Sequence, residues 1–172
     1  DANQFLNVAL RLAERDTDVE DLNLLRYFVC FLSYNEEKYY EAIVLGEFLA
    51  MKYPKAQGAR PCAKIAMASY LKLYALAKPD DRDFESQQVV KICDYIVKTW
   101  PKEAEAEDAL NTLIPFMIRE KKLDKALKFL GEISADSPNR GIAELKTGQA
   151  LWAAYLEGQR EGLGGPADGV YD

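Results

Sequence analysis

Three prolines, each at the end of an apolar helical pattern, divide this chain of 172 residues into segments of comparable length. Pro54 stands in KYPKA, Pro101 in TWPKE and Pro138 in DSP, so the prolines lie 47 and 37 residues apart. A proline favours the end of a helix, because it has no backbone N–H and its ring collides with the preceding turn. Helix pairs that recur at this interval are typical of repeat proteins, in which each unit packs on the next.

Apolar periodicity between these breaks is helical throughout, and no β-hairpin or glycine-rich phosphate loop is apparent. We therefore predict an all-α fold of about eight helices. The predicted helices cover 2–15, 18–34, 36–53, 58–77, 83–99, 103–119, 123–135 and 138–158. Side-chain caps are predicted at three helix starts, by Thr17 with Glu20, by Asn35, and by Ser137 before Pro138.

The segment KYYEAIVLGEFLAMKYPKA, residues 38–56, carries more apolar side chains than one helix face requires. On a helical wheel, a broad stripe consists of Tyr39, Ala42, Ile43, Gly46, Leu49, Ala50 and Tyr53. A second stripe consists of Tyr40, Val44, Phe48 and Met51. Two stripes predict neighbours on two sides, one packed by each stripe. The small residues Ala42 and Gly46 predict a close approach of a neighbouring helix.

The chain contains no histidine and has a net charge of −6, and both facts restrict its function. Histidine is the commonest general base and metal ligand near neutral pH. The remaining nucleophiles and carboxylates form no recognisable constellation, so we predict no enzymatic activity, no metal site and no cofactor. An acidic chain without a basic patch repels phosphate groups, so we predict no nucleic-acid partner. No apolar run reaches the ~18 residues of a membrane span.

Three cysteines, Cys30, Cys62 and Cys93, fall within apolar helical patterns and show no C-x-x-C spacing. We interpret them as small buried side chains rather than as zinc ligands or a dithiol pair. Acidic residues also cluster at 80, 81, 83 and 85, without the spacing or the central glycine of a calcium loop. We interpret this cluster as residues beside a helix N-terminus, which the helix dipole favours.

The segments YYEAI…YP and LDKALKF…SP resemble the tetratricopeptide repeat, a helix-turn-helix unit of about 34 residues. In both segments an alanine stands twelve residues before the proline, at Ala42 and Pro54 and again at Ala126 and Pro138. The segment ELKTGQALW, residues 144–152, resembles the first-helix motif of the same family.

Other residues depart from the family pattern. Val89 stands at the alanine position of the middle unit, and an insertion at 77–83 lengthens that unit. Pro115 lies inside the first helix of the third unit and is predicted to kink it. We therefore expect divergent repeats over residues 22–158, which is most of the chain.

The resemblance implies an α-solenoid of stacked antiparallel helix pairs, wound as a right-handed superhelix. Its domain would cover residues 1–158, with a flexible tail or loop at 159–172. The implied units are 22–56, 57–103, 104–138 and a partial unit at 139–158.

In this family the first helix of each pair lines a concave groove that binds peptides. The candidate peptide-binding residues carried over from the family are Tyr27, Phe31, Tyr34, Asn35, Tyr70, Asn111, Arg119, Gln149 and Trp152. Near the same positions are Ile65, Ser69 and Tyr74. For the aromatic residues the alternative is ordinary packing between helices, and for the polar residues it is a solvated surface position.

The resemblance implies a non-catalytic scaffold that binds a protein or peptide segment. The alternative is a structural role, in which the repeats pack against other domains of a longer chain or self-associate. The chain begins at Asp1, and we expect it to be a mature or excised piece of a longer protein. The YP and SP unit endings resemble those of bacterial envelope proteins, whereas free thiols favour a reducing cytoplasm, so both compartments stay open.

Overall fold

The described part of the chain is entirely helical in its regular structure. A computed structural model describes residues 2–14 and 16–160, and for Arg160 the backbone alone. Within these ranges none of the residues is in a β-strand, so the predicted all-α fold is confirmed. The helices are α1 (Ala2–Leu12), α2 (Val19–Asn35), α3 (Tyr39–Lys52), α4 (Ala59–Leu76), α5 (Asp83–Thr99), α6 (Ala104–Arg119), α7 (Leu123–Glu132) and α8 (Arg140–Arg160). No helix in these ranges is long and apolar enough to cross a membrane.

The predicted helices agree with the observed ones in number and position, and α5 has the predicted ends. The insertion at 77–83 contains a short 3-10 helix, Pro79–Asp81, which the sequence did not predict. Asp83 and Glu85 lie in the first turn of α5, as the helix-start interpretation of the acidic cluster requires. The first two residues of the predicted tail continue α8, and the rest of that tail lies outside the described residues.

The predicted caps of α2 and α3 are wrong. Asp18, not Thr17, caps α2, because its Oδ1 accepts a backbone N–H of the first turn at 2.6 Å. The hydroxyl of Thr17 instead accepts the backbone N–H of Glu14 at 2.9 Å. Asn35 ends α2, and α3 starts after Lys38, which makes no side-chain cap bond. A carboxylate suits the start of α2 because it also opposes the positive end of the helix dipole.

The turn between α2 and α3 has the same backbone geometry as the turn between α6 and α7. Glu37 has a φ of 61° and Lys121 a φ of 55°, both in the left-handed region. The following residues, Lys38 and Lys122, each donate their N–H to the carbonyl five residues earlier, at 2.8 and 2.9 Å. This arrangement is the Schellman motif, which closes the end of a helix. Two separate parts of the chain therefore make the same tight helix-to-helix turn.

A second turn recurs at the predicted unit endings. Tyr53 follows α3 with φ −130° and ψ 58°, and Trp100 follows α5 with φ −131° and ψ 55°. The carbonyl of each accepts the N–H three residues later, at 2.9 and 3.0 Å, and Ser137 accepts from Arg140 in the same way at 3.1 Å. Because α8 begins at Arg140, the predicted start with Pro138 in the first turn is two residues too early.

The chain divides into two compact units, and the division falls within α6, between Ala109 and Leu110. The first unit buries large apolar side chains together with every cysteine, so the interpretation of the cysteines as buried side chains is confirmed. Fully buried in the first unit are Val29, Leu49, Val89, Ile92, Ile96, Cys30, Cys62 and Cys93. Buried in the second unit are Leu113, Ile114, Phe116, Met117, Ala126, Phe129 and Ile133.

All the buried residues of α3 belong to its broad stripe, which packs against both α2 and α4, so the prediction of one stripe for each neighbour is wrong. At Gly46, α4 approaches so closely that an added Cβ would lie 2.7 Å from the carbonyl oxygen of Cys62. This close approach, predicted from the small residues, lets one stripe reach two helices. The second stripe is exposed instead; its members, named here the outer stripe, are Tyr40 (68%), Val44 (67%), Phe48 (43%) and Met51 (40%).

Candidate interaction surface

The outward side of α2 is apolar over two turns. Leu24, Phe28 and Phe31 follow one another at i, i+4 and i+7, and their exposed fractions are 44%, 43% and 45%. Asn35 continues the row by four residues and is also exposed. We call these four residues the α2 face. The sequence predicted Phe31 and Asn35 as groove residues but missed Leu24 and Phe28, although all four share one helical period.

Two predicted tyrosines border the α2 face. Tyr27 and Tyr34 are half-buried, and each ring packs on another ring. The centroids of Tyr27 and Phe28 lie 5.3 Å apart, and those of Tyr34 and Tyr39 lie 5.8 Å apart, edge to face. Such contacts restrict the rotamers of the rings before any partner binds, so less conformational entropy is lost on binding.

A polar cleft adjoins the N-terminal end of the α2 face. Its volume is about 430 Å³, and Leu24 lines both the cleft and the face. Glu20 and Asp21 line it from α2, and Lys55 lines it from the loop before α4. The two carboxylates outnumber the one ammonium among the residues that line the cleft, so its charge favours a cationic group.

The opposite end of the α2 face is also acidic. Glu36 and Glu37 follow Asn35 directly in the turn to α3. Lys38 Nζ donates to Glu36 Oε2 at 2.8 Å, and Asn3 Nδ2 donates to the same oxygen at 2.9 Å. The hydrogen bond from Lys38 contributes most to lowering the pKa of Glu36. The Glu36 carboxylate is therefore ionised at neutral pH.

Tyr70, a predicted groove residue, is a packing residue in the first unit. It is 7% exposed, and its hydroxyl donates to Glu47 Oε1 at 3.0 Å. Burial, together with the charge of Glu47, raises the pKa of Tyr70. Tyr74 is 4% exposed, with the Arg82 guanidinium 5.0 Å from its ring centroid. For Tyr70 and Tyr74, the two aromatic candidates on α4, the alternative interpretation of packing between helices is therefore the one that holds.

The neighbouring positions on α4 are not free either. Ile65 packs against the buried cluster of Cys30, Leu49 and Cys62. The buried hydroxyl of Ser69 donates back to the Ile65 carbonyl at 2.8 Å. Of the predicted positions in the first unit, only those on α2 therefore share an accessible surface.

In the second unit, Gln149 and Trp152 lie on an exposed side of α8. The Trp152 ring stacks on Tyr155 with centroids 5.6 Å apart. Asn111 is half-buried, and Arg119 is exposed with its guanidinium 5.2 Å from the Phe116 centroid. The exposed large apolar residues on α8 are Ile142 (57%), Leu145 (61%), Trp152 (58%) and Leu156 (45%).

The thiols are poorly placed for chemistry. Cys30, Cys62 and Cys93 are each 0% exposed. A hydrogen bond with Cys30, and burial, raise the pKa of Cys62, and burial raises the pKa of Cys93. A raised thiol pKa suppresses the reactive thiolate. Within residues 2–14 and 16–160, no group of three or more cysteine or acidic residues is arranged to hold a metal ion.

No family model matches the sequence, and no curated protein or solved structure gives a significant match.

Proposed function

We propose that this chain is a non-catalytic interaction module, which binds an apolar segment of another protein on the α2 face. One observation carries the proposal: Leu24, Phe28 and Phe31 form a continuous row in which each side chain is more than two-fifths exposed. Exposed apolar rows with a polar rim are typical of protein-interaction sites, because leaving them in water is unfavourable. The aromatic residues there are of the kind that contribute most to binding energy.

The charges around the face specify the partner further. Glu20 and Asp21 lie at one end of the α2 face, and at the other end Glu37 adds a negative charge beside the ion pair of Glu36 and Lys38. Complementary charges speed encounter and fix the register of a bound segment. We therefore propose a segment with an apolar centre and basic residues on both sides of it.

We further propose that the helices stack as antiparallel pairs of a tetratricopeptide-like α-solenoid. The recurrent Schellman turns at Glu37 and Lys121 support this, as do the matching turns after Tyr53 and Trp100. In such a repeat α2 is the first helix of its pair, the helix that lines the groove in the family. The absence of histidine from the sequence and the burial of the thiols support the non-catalytic role.

The double variant Phe28→Ala/Phe31→Ala is expected to lose peptide binding. The probe is a phage-displayed library of random peptides, selected on the wild-type chain, with the enriched peptides then synthesised and titrated by fluorescence polarisation. Enriched peptides should combine apolar residues with flanking lysine or arginine. Truncating two anchor residues typically weakens binding by ~30-fold or more, so the variant should show at least that loss.

Phe84→Ala is the matched control, because Phe84 is 60% exposed and lies on α5, away from the α2 face. It should leave the affinity unchanged, and circular dichroism should show that both variants keep their helix content. An equal loss in both, or full affinity in the double variant, would contradict the proposal.

A further inference from the structure

The outer stripe of α3 is a second exposed apolar row in the first unit, separate from the α2 face. Tyr40, Val44, Phe48 and Met51 stand at i, i+4, i+8 and i+11, so they form a nearly straight row about 16 Å long. Within the described residues, the buried side of α3 lies against α2 and α4, and the outer stripe meets α2 at Phe48, over whose ring the Arg26 guanidinium lies. A row of this length matches the contact surface of one further helix.

The two ends of α3 carry opposite charge. Glu37 and Glu41 lie at its start, whereas Lys52 and Lys55 lie at its end. Arg26 of α2 adds to the basic end, because its guanidinium lies 5.2 Å from the Phe48 centroid. The helix dipole favours the same polarity in any helix, so the charges alone indicate nothing about a partner. Their placement beside an exposed apolar row is what makes them informative.

Glu41 and Lys52 lie along the same edge of the outer stripe, because eleven residues complete about three helical turns. When two identical helices pair in antiparallel fashion about a two-fold axis, equivalent edges face each other. Glu41 of each copy then faces Lys52 of the other, and both pairs form at once. Along the row, Tyr40 faces Met51, and Val44 faces Phe48. In a parallel pair about a two-fold axis, equivalent edges lie on opposite sides of the interface, so Glu41 and Lys52 would not face each other.

We propose that the outer stripe is the interface of an antiparallel homodimer, in which α3 of one chain packs on α3 of a second copy. The pattern is complementary to itself in both its apolar row and its charges, as a two-fold interface requires. Four large side chains per copy make an interface at the small end of the range for specific complexes, so the dimer is expected to be weak and reversible. This inference is independent of the α2 face.

Sedimentation velocity of the full chain, from low to high micromolar concentration, tests the dimer. The wild-type chain should show a reversible monomer–dimer equilibrium. Val44→Asp should remove it, because it puts a charge at the centre of the apolar row. Val19→Asp is the matched control, since Val19 is 47% exposed at the start of α2, and it should dimerise normally.

Charge reversal tests the orientation. Glu41→Lys and Lys52→Glu should each weaken dimerisation by about fivefold to tenfold, because every ion pair across the interface becomes a repulsion. An equimolar mixture of the two variants should dimerise as the wild type does, since both pairs then have opposite charges again. In a parallel pair neither single variant would weaken the dimer.

A chain that stays monomeric at all concentrations overturns the proposal. It is also overturned if Val44→Asp still dimerises, or if the single charge variants behave as the wild type. The peptide titration at the α2 face does not depend on any of these results, so failure of one proposal leaves the other standing.

Discussion

Leu49→Ala is expected to lower the free energy of unfolding of the first unit by about 2–5 kcal/mol, the usual cost of removing a buried leucine. Leu49 is 0% exposed and forms a buried cluster with Cys30 and Cys62. Half-buried side chains close this cluster, and the loop before α4 packs against it at Gly58. Because neighbours surround Leu49 on several sides, they have little freedom to fill the cavity that the substitution leaves. We therefore expect a loss in the upper half of this range.

Urea unfolding followed by tryptophan fluorescence measures this change. The two tryptophans fall in different units, so a Trp152→Phe background leaves Trp100 as the reporter of the first unit. Leu76→Ala is the matched control, since Leu76 is 73% exposed at the end of α4 and should cost less than about 0.5 kcal/mol. If the two variants had similar urea midpoints of unfolding, Leu49 would not contribute to the core of the first unit as described.

Gly46→Ala is expected to destabilise the chain although alanine is the better helix former. The added Cβ would lie 2.7 Å from the Cys62 carbonyl oxygen and 3.1 Å from the Ala66 Cβ. Overpacking of this kind costs about 1–3 kcal/mol, and here the clashing atom is helix backbone, which cannot rotate away. Because that backbone cannot yield, we expect the upper half of this range, about 2–3 kcal/mol. The gain in helix propensity is about 1 kcal/mol, so a net loss of about 1–2 kcal/mol is expected.

Gly148→Ala is the matched control, because an added Cβ there meets nothing within 4 Å. Only the propensity gain remains, so this variant should be more stable by up to about 1 kcal/mol. Thermal unfolding followed by circular dichroism should therefore shift in opposite directions for the two variants. A shift in the same direction would mean that α3 and α4 are not as close at Gly46 as the geometry indicates.

The helices were predictable because apolar residues recur along each of them without the alternation of a strand, and a proline or polar break lies near each end. The turns between the helices were less predictable, because the residues at their left-handed positions are unusual ones. A left-handed residue is usually signalled by glycine or asparagine, whereas this chain uses Glu37 and Lys121. Without that signal, the sequence pattern predicts Asn35 as a cap of the next helix. At α2 the competing caps, Thr17 and Asp18, are adjacent, and propensity alone does not separate them.

Periodicity also shows which residues share a helix face, but not whether that face is covered. The family resemblance groups Phe31 and Asn35 with Tyr70, yet Phe31 and Asn35 are exposed on α2 whereas the Tyr70 ring is buried against α3. The outer stripe is the converse case, because its apolar period predicted a covering helix in the same chain. The small residues Ala42 and Gly46 let both neighbouring helices pack against one side of α3. The apolar pattern of a single helix does not show this.

The distribution of thiols has a practical consequence. All three cysteines of the sequence lie in the first unit, and all three are inaccessible while that unit is closed. An alkylating reagent can therefore modify them only during transient openings. The rate at which the thiols are alkylated under native conditions then measures how often the first unit opens. The second unit contains no cysteine and does not contribute to this rate.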